Sequence, residues 1–577
     1  MITWNLVVLS RVNVMSTSFE ALSELCEKLE STSKRLLMTS LVSEFLRNLE
    51  SEEVEPAVSM IIGRSFPKWS QRALNVSWAT LGRIIKRITK ADWKVFIEAF
   101  GETGDVGSAT KVLFECSKIH KQLSLFDRKL TIMEVRHSFE VIAETAGSRS
   151  REKKERLIEA LLGLTSPLEA KYLVKIFIGE MRTGFHSGLM EQAVSKGFQI
   201  PLEIVQKASM ATGDVGEVAA IAKSQGKEGL LKIGFRVFRP VSLMLAQTAS
   251  DIDEALSEHG GETAFEYKLD GARVQIHRRG GDVRIFSRRL TDVTVSLPEI
   301  VETVRKNVNV ERVILEGEVI AVNSQDYPIP FQHLMRRFRR VHSIEDMIRK
   351  IPVKLYLFDI LYLNGESLIS LSYVQRRRIL AETAGEIPLT RKLVTDNVEE
   401  ASGFLKKAMD AGHEGLVAKK LDGEYTPGTR GKRWLKIKPV LEPLDLVIVA
   451  AEYGYGRRHE WLSNYYLAVR DAETSEFLTV GKTFKGLTDV EIIEITERLK
   501  DLAIKEEDRR VVVIPRVVVE VLYNEIQKSP KYKCGMALRF ARINRIREDK
   551  TAEQADTIQK VKEIYEKQFL KKGRYKA

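Results

Sequence analysis

The spacing of apolar residues changes once along this chain, near residue 235, and that change constrains the fold more than any other feature. From Phe19 to about Ala222, apolar residues recur at intervals of three and four, which is typical of amphipathic helices. Glycines and a proline interrupt this pattern between Lys227 and Pro240, which indicates a linker. Residues 1–235 are therefore predicted to form an all-α domain, in which residues 1–14 are a loose tail or an over-long start.

Beyond the linker, short β-rich runs alternate with helical stretches, which predicts an α+β domain over residues 236–440. After Pro443 the pattern becomes short strands broken by turns, with one helical run, and this predicts a small β-barrel over residues 441–577. A chain of 577 residues is long enough for these three domains.

Charge and cysteine content narrow the classes of function. A net charge of +12 favours a polyanionic partner, although solubility alone also explains such an excess. The cysteines, Cys26, Cys116 and Cys534, are too few and too far apart for a disulfide framework or a paired-cysteine zinc module, which favours a reducing, cytoplasmic setting. No apolar run approaches the ~18 residues that span a bilayer, so no membrane segment is expected.

A lysine between two carboxylates is the most informative local pattern. Alternate residues of a strand share a face, so Glu266, Lys268 and Asp270 are expected to project together. Gly271 lets the backbone turn tightly or approach a ligand closely. From local composition alone, the default explanation of this pattern is an exposed stripe of ion pairs.

Two further patterns supply the charges that phosphorus chemistry needs. Lys436 and Lys438 share one face of a predicted strand and can lower the pKa of a nearby lysine or neutralise a phosphate. Glu318 and, in a separate strand-like run, Glu414 offer the hard oxygen ligands that suit Mg²⁺. Glu316 shares a face with Glu318 and is expected to be only a neighbour.

Together these patterns resemble a known family. Lys268-Leu-Asp-Gly-Ala-Arg273 is similar to the Lys-x-Asp-Gly-x-Arg motif of nucleotidyltransferases that adenylate or guanylate their own lysine. The best resemblance is to the ATP-dependent DNA ligases in their archaeal-type, three-domain form. The companion motifs follow in the family's order: Ser287-Arg288-Arg289, Leu315-Glu-Gly-Glu318, Leu357-Phe-Asp-Ile-Leu-Tyr362, Glu414-Gly-Leu-Val-Ala-Lys419, Trp434-Leu-Lys-Ile-Lys438 and Ala537-Leu-Arg-Phe-Ala-Arg-Ile-Asn-Arg-Ile-Arg-Glu-Asp-Lys550.

The resemblance implies an enzyme that uses ATP to seal nicks in duplex DNA during replication, repair and recombination. The reaction would pass through a lysyl-AMP intermediate and an adenylated 5′-phosphate. The α+β domain would be the adenylation (nucleotidyltransferase) domain, and the C-terminal barrel would have the OB-fold. Mg²⁺, with Mn²⁺ as the alternative, would be the metal. Nicked duplex DNA is the implied partner, a sliding clamp is a candidate partner, and the chain is expected to act as a cytoplasmic monomer.

The resemblance also assigns roles to individual residues. Lys268 would be the nucleophile, and Glu318 and Glu414 would hold the metal. Nucleotide binding would fall to Glu266 at the adenine amino group, to Phe358 stacked on the base, and to Arg273, Arg288, Glu318, Arg430, Lys436 and Lys438 around the ribose and phosphates. The departing pyrophosphate would be oriented by Arg539, Arg542, Arg547, Asp549 and Lys550.

Other functions remain open on the sequence alone. An RNA ligase or a capping-type nucleotidyltransferase shares the lysine motif, and a non-catalytic nucleic-acid clamp could retain the fold. The helical domain ahead of the lysine and the ending Arg547-Glu-Asp-Lys550 favour a DNA ligase by resemblance. An NAD-dependent ligase is disfavoured because three cysteines cannot build that family's four-cysteine zinc module.

Two motifs outside this set suggest contacts with nucleic acid. Thr103-Gly-Asp-Val-Gly107 and Thr212-Gly-Asp-Val-Gly216 repeat one string, and each Asp is expected to be a helix N-cap. Free N–H groups at such helix starts could bind phosphates, although the repeat alone favours ordinary caps in a helical array. The cluster Arg336-Arg-Phe-Arg-Arg340 has the charge of a backbone-binding patch, but helix surfaces often carry such runs.

Overall fold

The computed structural model describes residues 16–117, 129–338, 344–438 and 442–569. The chain divides into two compact units, Met1–Ser242 and Leu243–Ala577, called unit 1 and unit 2 below. The predicted tail at 1–14, Arg339 and Arg340 of the basic cluster, and the predicted boundary at residues 440 and 441 lie outside the described residues. No described helix combines the length and the apolar surface that crossing a bilayer would require.

The regular secondary-structure elements described in unit 1 are helices joined by loops, as the apolar spacing predicts. Local sequence starts these helices: Ser18 accepts a hydrogen bond from the Ala21 backbone at 3.2 Å, and Ser166 and Glu169 form a capping box. The helices are α1 Phe19–Glu30, α2 Arg35–Asn48, α3 Ser51–Ile61, α4 Trp78–Thr89, α5 Trp93–Thr103, α6 Val106–Cys116, α7 Ile132–Glu144, α8 Ser150–Gly163, α9 Pro167–Ile178, α10 Ser187–Phe198, α11 Leu202–Thr212 and α12 Val215–Leu231.

Helix α12 extends into the stretch predicted to be a linker. Its backbone leaves the helical region at Gly226, with φ 62° and ψ −154°, and then continues to Leu231. Gly229 packs against Ile221 and Gln225 on the preceding turn, so a side chain at this position would meet both. The glycines that suggested a linker therefore produce a kink and a tight contact inside a helix.

The two Thr-Gly-Asp-Val-Gly turns have the same local structure. Gly104 and Gly213 end α5 and α11 in the left-handed conformation, with φ of 63° and 71°. Asp105 and Asp214 then cap α6 and α12, and both carboxylates are buried. The predicted caps are confirmed. Because each carboxylate already accepts from the first N–H groups of its helix, the suggested phosphate contact stays a prediction.

Unit 2 begins with two sheets, called sheet A and sheet B, each covered by helices. Sheet A has the order β1-β10-β9-β2-β8, and sheet B has the order β4-β3-β5-β6-β7. Helices α13 and α18 share a core with sheet A, and α14, α15 and α17 share one with sheet B. The strands are β1 Leu245–Thr248, β2 Thr263–Lys268, β3 Ala272–Arg279, β4 Asp282–Ser287, β5 Arg312–Ala321, β6 Val353–Leu363, β7 Glu366–Ser367, β8 Lys392–Thr395, β9 Gly415–Lys420 and β10 Arg430–Ile437, and the helices are α13 Ile252–His259, α14 Pro298–Asn307, α15 Phe331–Phe338, α16 Ile344–Lys350, α17 Tyr373–Thr383 and α18 Val398–Asp410.

The rest of unit 2 is a mainly antiparallel β structure with two helices. Its sheet has the order β13-β12-β11-β15-β14, β16 pairs with β11 and β19, and β17 pairs with β18. The pairings among the described strands do not close this sheet into a barrel. The elements are β11 Leu444–Tyr453, β12 Leu462–Arg470, β13 Phe477–Thr483, α19 Asp489–Asp501, β14 Ala503–Glu507, β15 Arg510–Val513, β16 Val518–Leu522, β17 Glu525–Lys528, β18 Met536–Arg539, β19 Arg542–Ile546 and α20 Ile558–Phe569.

The predicted succession of an all-α part, an α+β part and a C-terminal β part is confirmed. The segment Leu269–Gly271 carries the chain from β2 in sheet A to β3 in sheet B. A Cβ atom on Gly271 would collide with the carbonyl oxygen of Val319 on β5, so this crossing requires glycine. The crossing places the end of β2 beside sheet B.

Candidate active site

A cavity of about 1290 Å³ lies in unit 2 and collects most of the predicted site residues. Sheets A and B both contribute to its wall, together with α15 and part of the C-terminal β structure. The predicted residues that line it are Glu266, Lys268, Arg273, Arg288, Glu318, Phe358, Glu414, Arg430, Lys436, Lys438 and Arg539. Residues separated by up to 273 positions in the sequence, such as Glu266 and Arg539, therefore contribute to one concave surface.

Lys268 is the last residue of β2, and its ammonium reaches across to Glu414. The Lys268 Nζ atom lies 2.5 Å from Glu414 Oε2, and Lys438 Nζ binds the same oxygen. The Glu414 backbone N–H also donates to the Lys268 carbonyl oxygen at 2.9 Å. Burial alone would raise the pKa of the Glu414 carboxyl, but the charges of Lys268 and Lys438 lower it to about 2. Glu414 is therefore ionised and holds both amines in the cavity.

The alternation predicted for β2 is present. Tyr267 packs on Phe404 of α18, with ring centroids 4.7 Å apart, whereas Glu266 binds Lys419 and Lys268 binds Glu414. Gly415, the register partner of Lys268 on β9, has φ 143°, and its Cβ position is blocked by the Ile437 carbonyl. This close contact brings β9 and β10 together at the residue that is paired with Lys268.

Glu318 on β5 is the second carboxylate of the cavity. Burial raises the pKa of its carboxyl to about 8, although the charges of Lys268 and Arg273 oppose that shift. The charges of Glu414 and Asp270 raise it further. A group in this environment gains from binding either a proton or a cation. Among the described residues, no group of three or more His, Cys, Asp or Glu side chains could hold a metal ion, so Glu318 and Glu414 would have to act as a pair.

Glu316 is more than the neighbour that the sequence suggested. Its carboxylate is fully buried and binds Arg273, with 2.5 Å between Arg273 Nη2 and Glu316 Oε2. The Tyr425 hydroxyl donates to Glu316 Oε1 at 2.7 Å, and Arg273 Nη1 donates to the Met244 carbonyl at 2.7 Å. Burial would lower the pKa of Arg273, but the charge of Glu316 raises it. Glu316 and Tyr425 therefore fix the orientation of Arg273.

The predicted base-binding residues, Phe358 and Glu266, also line the cavity. Phe358 is 9% exposed and lies edge-on to Trp434, with ring centroids 6.1 Å apart. Glu266 is 2% exposed. Sequence reasoning missed the side chains that surround its carboxylate, because they come from distant elements; these are Tyr373, Arg377, Thr390 and Lys419.

Cations crowd the part of the cavity near Lys268. Burial lowers the pKa of Lys436, and the charges of Lys438, Arg430, Lys268 and Arg288 add to that effect. Arg288 and Arg430 are exposed residues on its wall. This density of positive charge suits a ligand that carries several phosphates.

The residues predicted to orient pyrophosphate lie in different parts of unit 2. Arg539 lines the cavity, donates to Glu525 Oε2 at 3.0 Å and lies 5.9 Å from the ring centroid of Phe331 on α15. Arg542, Arg547, Asp549 and Lys550 are not among the residues that line it.

Three of these four residues form a separate network on the C-terminal β structure. Arg547 binds Asp445 at 2.9 Å and Asp549 at 2.6 Å, and Lys550 binds Asp445 at 2.5 Å. The Asp549 pKa is lowered by its hydrogen bond with Arg547. In this arrangement the network connects β11 to the residues that directly follow β19.

The basic cluster near α15 is divided between the surface and the interior. Arg337 is 2% exposed and donates to the carbonyls of Ser296 and Ile351 at 3.1 and 2.9 Å, whereas Arg336 is exposed. Arg337 therefore holds loops of unit 2 together and is not available to a polyanion.

Comparisons with known proteins agree with this geometry. Three family models match the chain: "DNA ligase N terminus" over residues 18–195, "ATP dependent DNA ligase domain" over 243–438 and "ATP dependent DNA ligase C terminal region" over 458–550. The chain is 44% identical over 550 residues to a DNA ligase of Thermococcus fumicolans, covering 95% of this chain and 98% of the relative. It is 45% identical over 552 residues to DNA ligase 1 of Korarchaeum cryptofilum, with the same coverage.

A relative and a solved structure extend the comparison. A DNA ligase of Archaeoglobus fulgidus is 41% identical over 555 residues, covering 96% of this chain and 99% of the relative. A solved structure named Pmar-Lig_PreS3 is similar in fold, with a TM-score of 0.55 and 17% identity over 91% of this chain and 99% of the other. From the matched models and the near-complete alignment with these relatives, the chain belongs to the ATP-dependent DNA ligase family and is a DNA ligase enzyme.

Proposed function

We propose that the protein seals nicks in duplex DNA by three successive transfers at the cavity around Lys268. In the first, Lys268 Nζ attacks the α-phosphorus of ATP, so that a P–N bond forms and the bond to pyrophosphate breaks. In the second, the 5′-phosphate of the nick attacks the same phosphorus and releases Lys268. In the third, the 3′-hydroxyl attacks the 5′-phosphate, loses its proton and displaces AMP.

The position of Lys268 is the observation that supports this proposal most directly. An amine attacks phosphorus only when it is neutral, and a lysine with several cationic neighbours loses its proton more readily than an isolated one. Lys436 and Lys438 supply that charge and can also neutralise the α-phosphate. Lys268 Nζ is bound to Glu414, so the first transfer requires this ion pair to open.

The remaining roles follow from the cavity wall. We assign the base to the space beside Phe358 and Glu266, and the ribose and phosphates to the wall that Arg273, Arg288 and Arg430 line. Arg539 approaches the cavity from the C-terminal structure and would orient pyrophosphate. For Arg542, Arg547, Asp549 and Lys550 the same role would require them to move to the cavity.

A divalent metal fits the two carboxylates. Mg²⁺ commonly binds one or two protein carboxylates together with substrate phosphates and water. Glu414 is ionised, and Glu318, with its raised pKa, is a buried carboxyl that a nearby cation would stabilise as a carboxylate. Glu318 and Glu414 would hold Mg²⁺, or Mn²⁺ in its place, and the metal would supply charge to neutralise the phosphates.

We further propose the biological setting. Residues 1–235 would bind the duplex backbone, 236–440 would carry out adenylation, and 441–577 would form an OB-fold domain that acts with it. The net charge of +12 supports a nucleic-acid partner. The enzyme would act as a cytoplasmic monomer in replication, repair and recombination, with a sliding clamp as a candidate partner.

Incubation with ATP labelled at the α-phosphate, in the presence of Mg²⁺, tests the proposal. The protein should become labelled, and addition of unlabelled nicked duplex DNA should discharge the label and yield sealed product. Lys268→Arg should remain unlabelled, because arginine stays protonated and offers no lone pair to phosphorus. Labelling of Lys268→Arg, or discharge by nicked RNA and not by nicked DNA, would contradict it.

A further inference from the structure

A buried lysine lies behind the proposed base subsite, and the transfers described above do not use it. Lys419 on β9 is 2% exposed. Its Nζ atom lies 4.5 Å from the ring centroid of Trp434, 4.9 Å from that of Phe358 and 5.1 Å from that of Tyr373. A charged amine enclosed by three rings is costly to bury unless hydrogen bonds and an opposite charge compensate it.

Lys419 finds that compensation in the two residues assigned to the base. Its ammonium lies 2.9 Å from Glu266 Oε2 and donates to the carbonyl oxygen of Phe358 at 3.1 Å. One side chain therefore connects the strand that carries Lys268 to the strand that carries Phe358. If this connection were removed, the Glu266 carboxylate and the Phe358 backbone could shift independently.

The other donors to Glu266 show how tightly its carboxylate is held. Tyr373 donates to Oε1 at 2.5 Å and Arg377 donates to the same oxygen at 3.2 Å. Thr390 donates to Oε2 at 2.8 Å, beside Lys419. These four donors hold the Glu266 carboxylate in one orientation.

We infer that Lys419 is a positioning residue that sets the nucleobase preference of the enzyme, by fixing Glu266 and Phe358 on two sides of the base. The inference rests on the proposed function, which puts the base between these residues. A carboxylate fixed in this way favours a base edge that donates, such as the amino group of adenine, over one that presents a carbonyl oxygen. Lys419 does not touch the phosphates, so its effect should be confined to recognition of the base.

Self-adenylation with ATP and with inosine triphosphate, which carries a carbonyl oxygen in place of that amino group, tests the inference. In Lys419→Met the apolar chain still fills the cage but donates no hydrogen bond. We expect KM for ATP to rise about tenfold, and the ATP preference in kcat/KM to fall by a similar factor, because hydrogen bonds to charged groups are lost. The kcat for ATP should stay within about threefold, since the phosphate contacts remain.

A neighbouring lysine gives the matched control. Lys420 follows on the same strand, does not line the cavity, and lies 3.9 Å from Asp422 in a largely exposed pair. Lys420→Met should match the wild type in KM and in base preference. If Lys419→Met lowered kcat/KM for both nucleotides by one factor, the ammonium would serve only the fold and the inference would be overturned.

Tyr373→Phe keeps the test decisive should Lys419→Met fold poorly. It removes only the hydroxyl that donates to Glu266 Oε1 and keeps the ring of the cage. We expect a smaller loss of ATP preference, with kcat little changed. An unchanged preference in a folded Tyr373→Phe protein would overturn the inference. A wild-type protein that ATP does not label would instead contradict the proposed function, so the two failures are distinguishable.

Discussion

Lys268 and Lys438 share one oxygen atom, because both of their ammonium groups bind Glu414 Oε2. The two lysines are 170 positions apart in sequence; Lys268 ends β2, and Lys438 directly follows β10 of the same sheet. Their charges keep the Glu414 carboxyl ionised, with a pKa of about 2. The proposed nucleophile and the cation beside it are therefore positioned by the same side chain.

Loss of that shared acceptor should impair the first transfer. In Glu414→Gln the amide cannot balance two ammonium groups, so Lys268 and Lys438 should repel each other and leave their positions. Truncating one partner of a buried charge pair costs about 2 to 5 kcal/mol, which predicts a fall of at least about 30-fold in the rate of self-adenylation. Rapid-quench labelling with ATP measures this rate. A rate within threefold of the wild type would contradict the shared role.

The separation of Arg539 from Arg547 predicts two different phenotypes. Arg539→Ala should slow self-adenylation at least about tenfold and leave the melting temperature unchanged, because Arg539 lines the cavity. Arg547→Met should lower the melting temperature, because Arg547 holds Asp445 and Asp549 together.

Arg545→Ala is the control for that pair, since Arg545 is exposed and its guanidinium binds Glu520 on β16. Calorimetry and ATP labelling of the three variants give both quantities. If Arg547→Met slowed self-adenylation as strongly as Arg539→Ala while melting normally, Arg547 would have to reach the cavity during the reaction.

A buried histidine predicts how stability depends on pH. Burial lowers the pKa of His277 to about 3, from an ordinary value near 6.5. The unfolded chain therefore binds a proton between these values and the folded chain does not, so His277 destabilises the fold as pH falls below about 6.5. From pH 7 to pH 5, the free energy of unfolding should drop by about 1 to 2 kcal/mol more in the wild type than in His277→Gln.

Urea unfolding at several pH values, followed by the signal of unit 2, checks this difference. His137, which lies on helix α7 in unit 1, offers a control variant, His137→Gln, that should keep the wild-type pH dependence of the unit 2 transition. Equal pH slopes in the wild type and in His277→Gln would show that the buried imidazole does not govern this dependence.

Gly107 in the first repeated turn should tolerate no side chain. A Cβ atom there would lie 2.6 Å from Lys175 Cγ and 2.8 Å from the Lys171 carbonyl oxygen. Lys175 cannot move away cheaply, because it is fully buried and bound to Glu30 and Asp105. Gly107→Ala should destabilise the protein by about 1 to 3 kcal/mol.

The matched variant is Gly163→Ala at the end of α8, where nothing lies within 4 Å of the added Cβ. It should be neutral or stabilising by up to about 1 kcal/mol, since alanine loses less backbone entropy in a helix. Thermal unfolding of both variants makes the comparison. Equal melting temperatures would mean that the contact around Gly107 relaxes without cost.

Local patterns in the sequence predict those parts of the structure that depend on interactions between residues close together in the chain. The apolar spacing predicts the helices of unit 1, and the two Asp caps follow from one residue type ahead of a helical run. The motif Lys268-Leu-Asp-Gly-Ala-Arg273 is local too. Its glycine is required by a contact with Val319, which no local pattern indicates.

Long-range side-chain pairing accounts for what the sequence could not predict. Tyr373 and Arg377 meet Glu266 across more than 100 positions, and nothing in their immediate neighbours marks them. Lys419 ends a motif that the sequence does show, but the motif does not indicate its contact with Glu266. The sequence predicted that Glu316 is only a neighbour of Glu318, because a strand pattern shows which face a carboxylate lies on but not which cation it binds. The dispersal of the final motif has the same origin, since Asp445, the partner of Arg547, lies 102 positions earlier.

The backbone hydrogen bond from Glu414 to the Lys268 carbonyl links the activity of the enzyme to the correct pairing of its strands during folding. The same two residues are joined by their side chains, so the alignment of β2 with β9 sets the reactive pair. A slip of one residue would turn Lys268 to the helix-covered side of sheet A, while the sheet could keep most of its hydrogen bonds. A misaligned molecule would thus be compact yet inert, and the capacity to accept AMP would report whether each copy had paired its strands correctly.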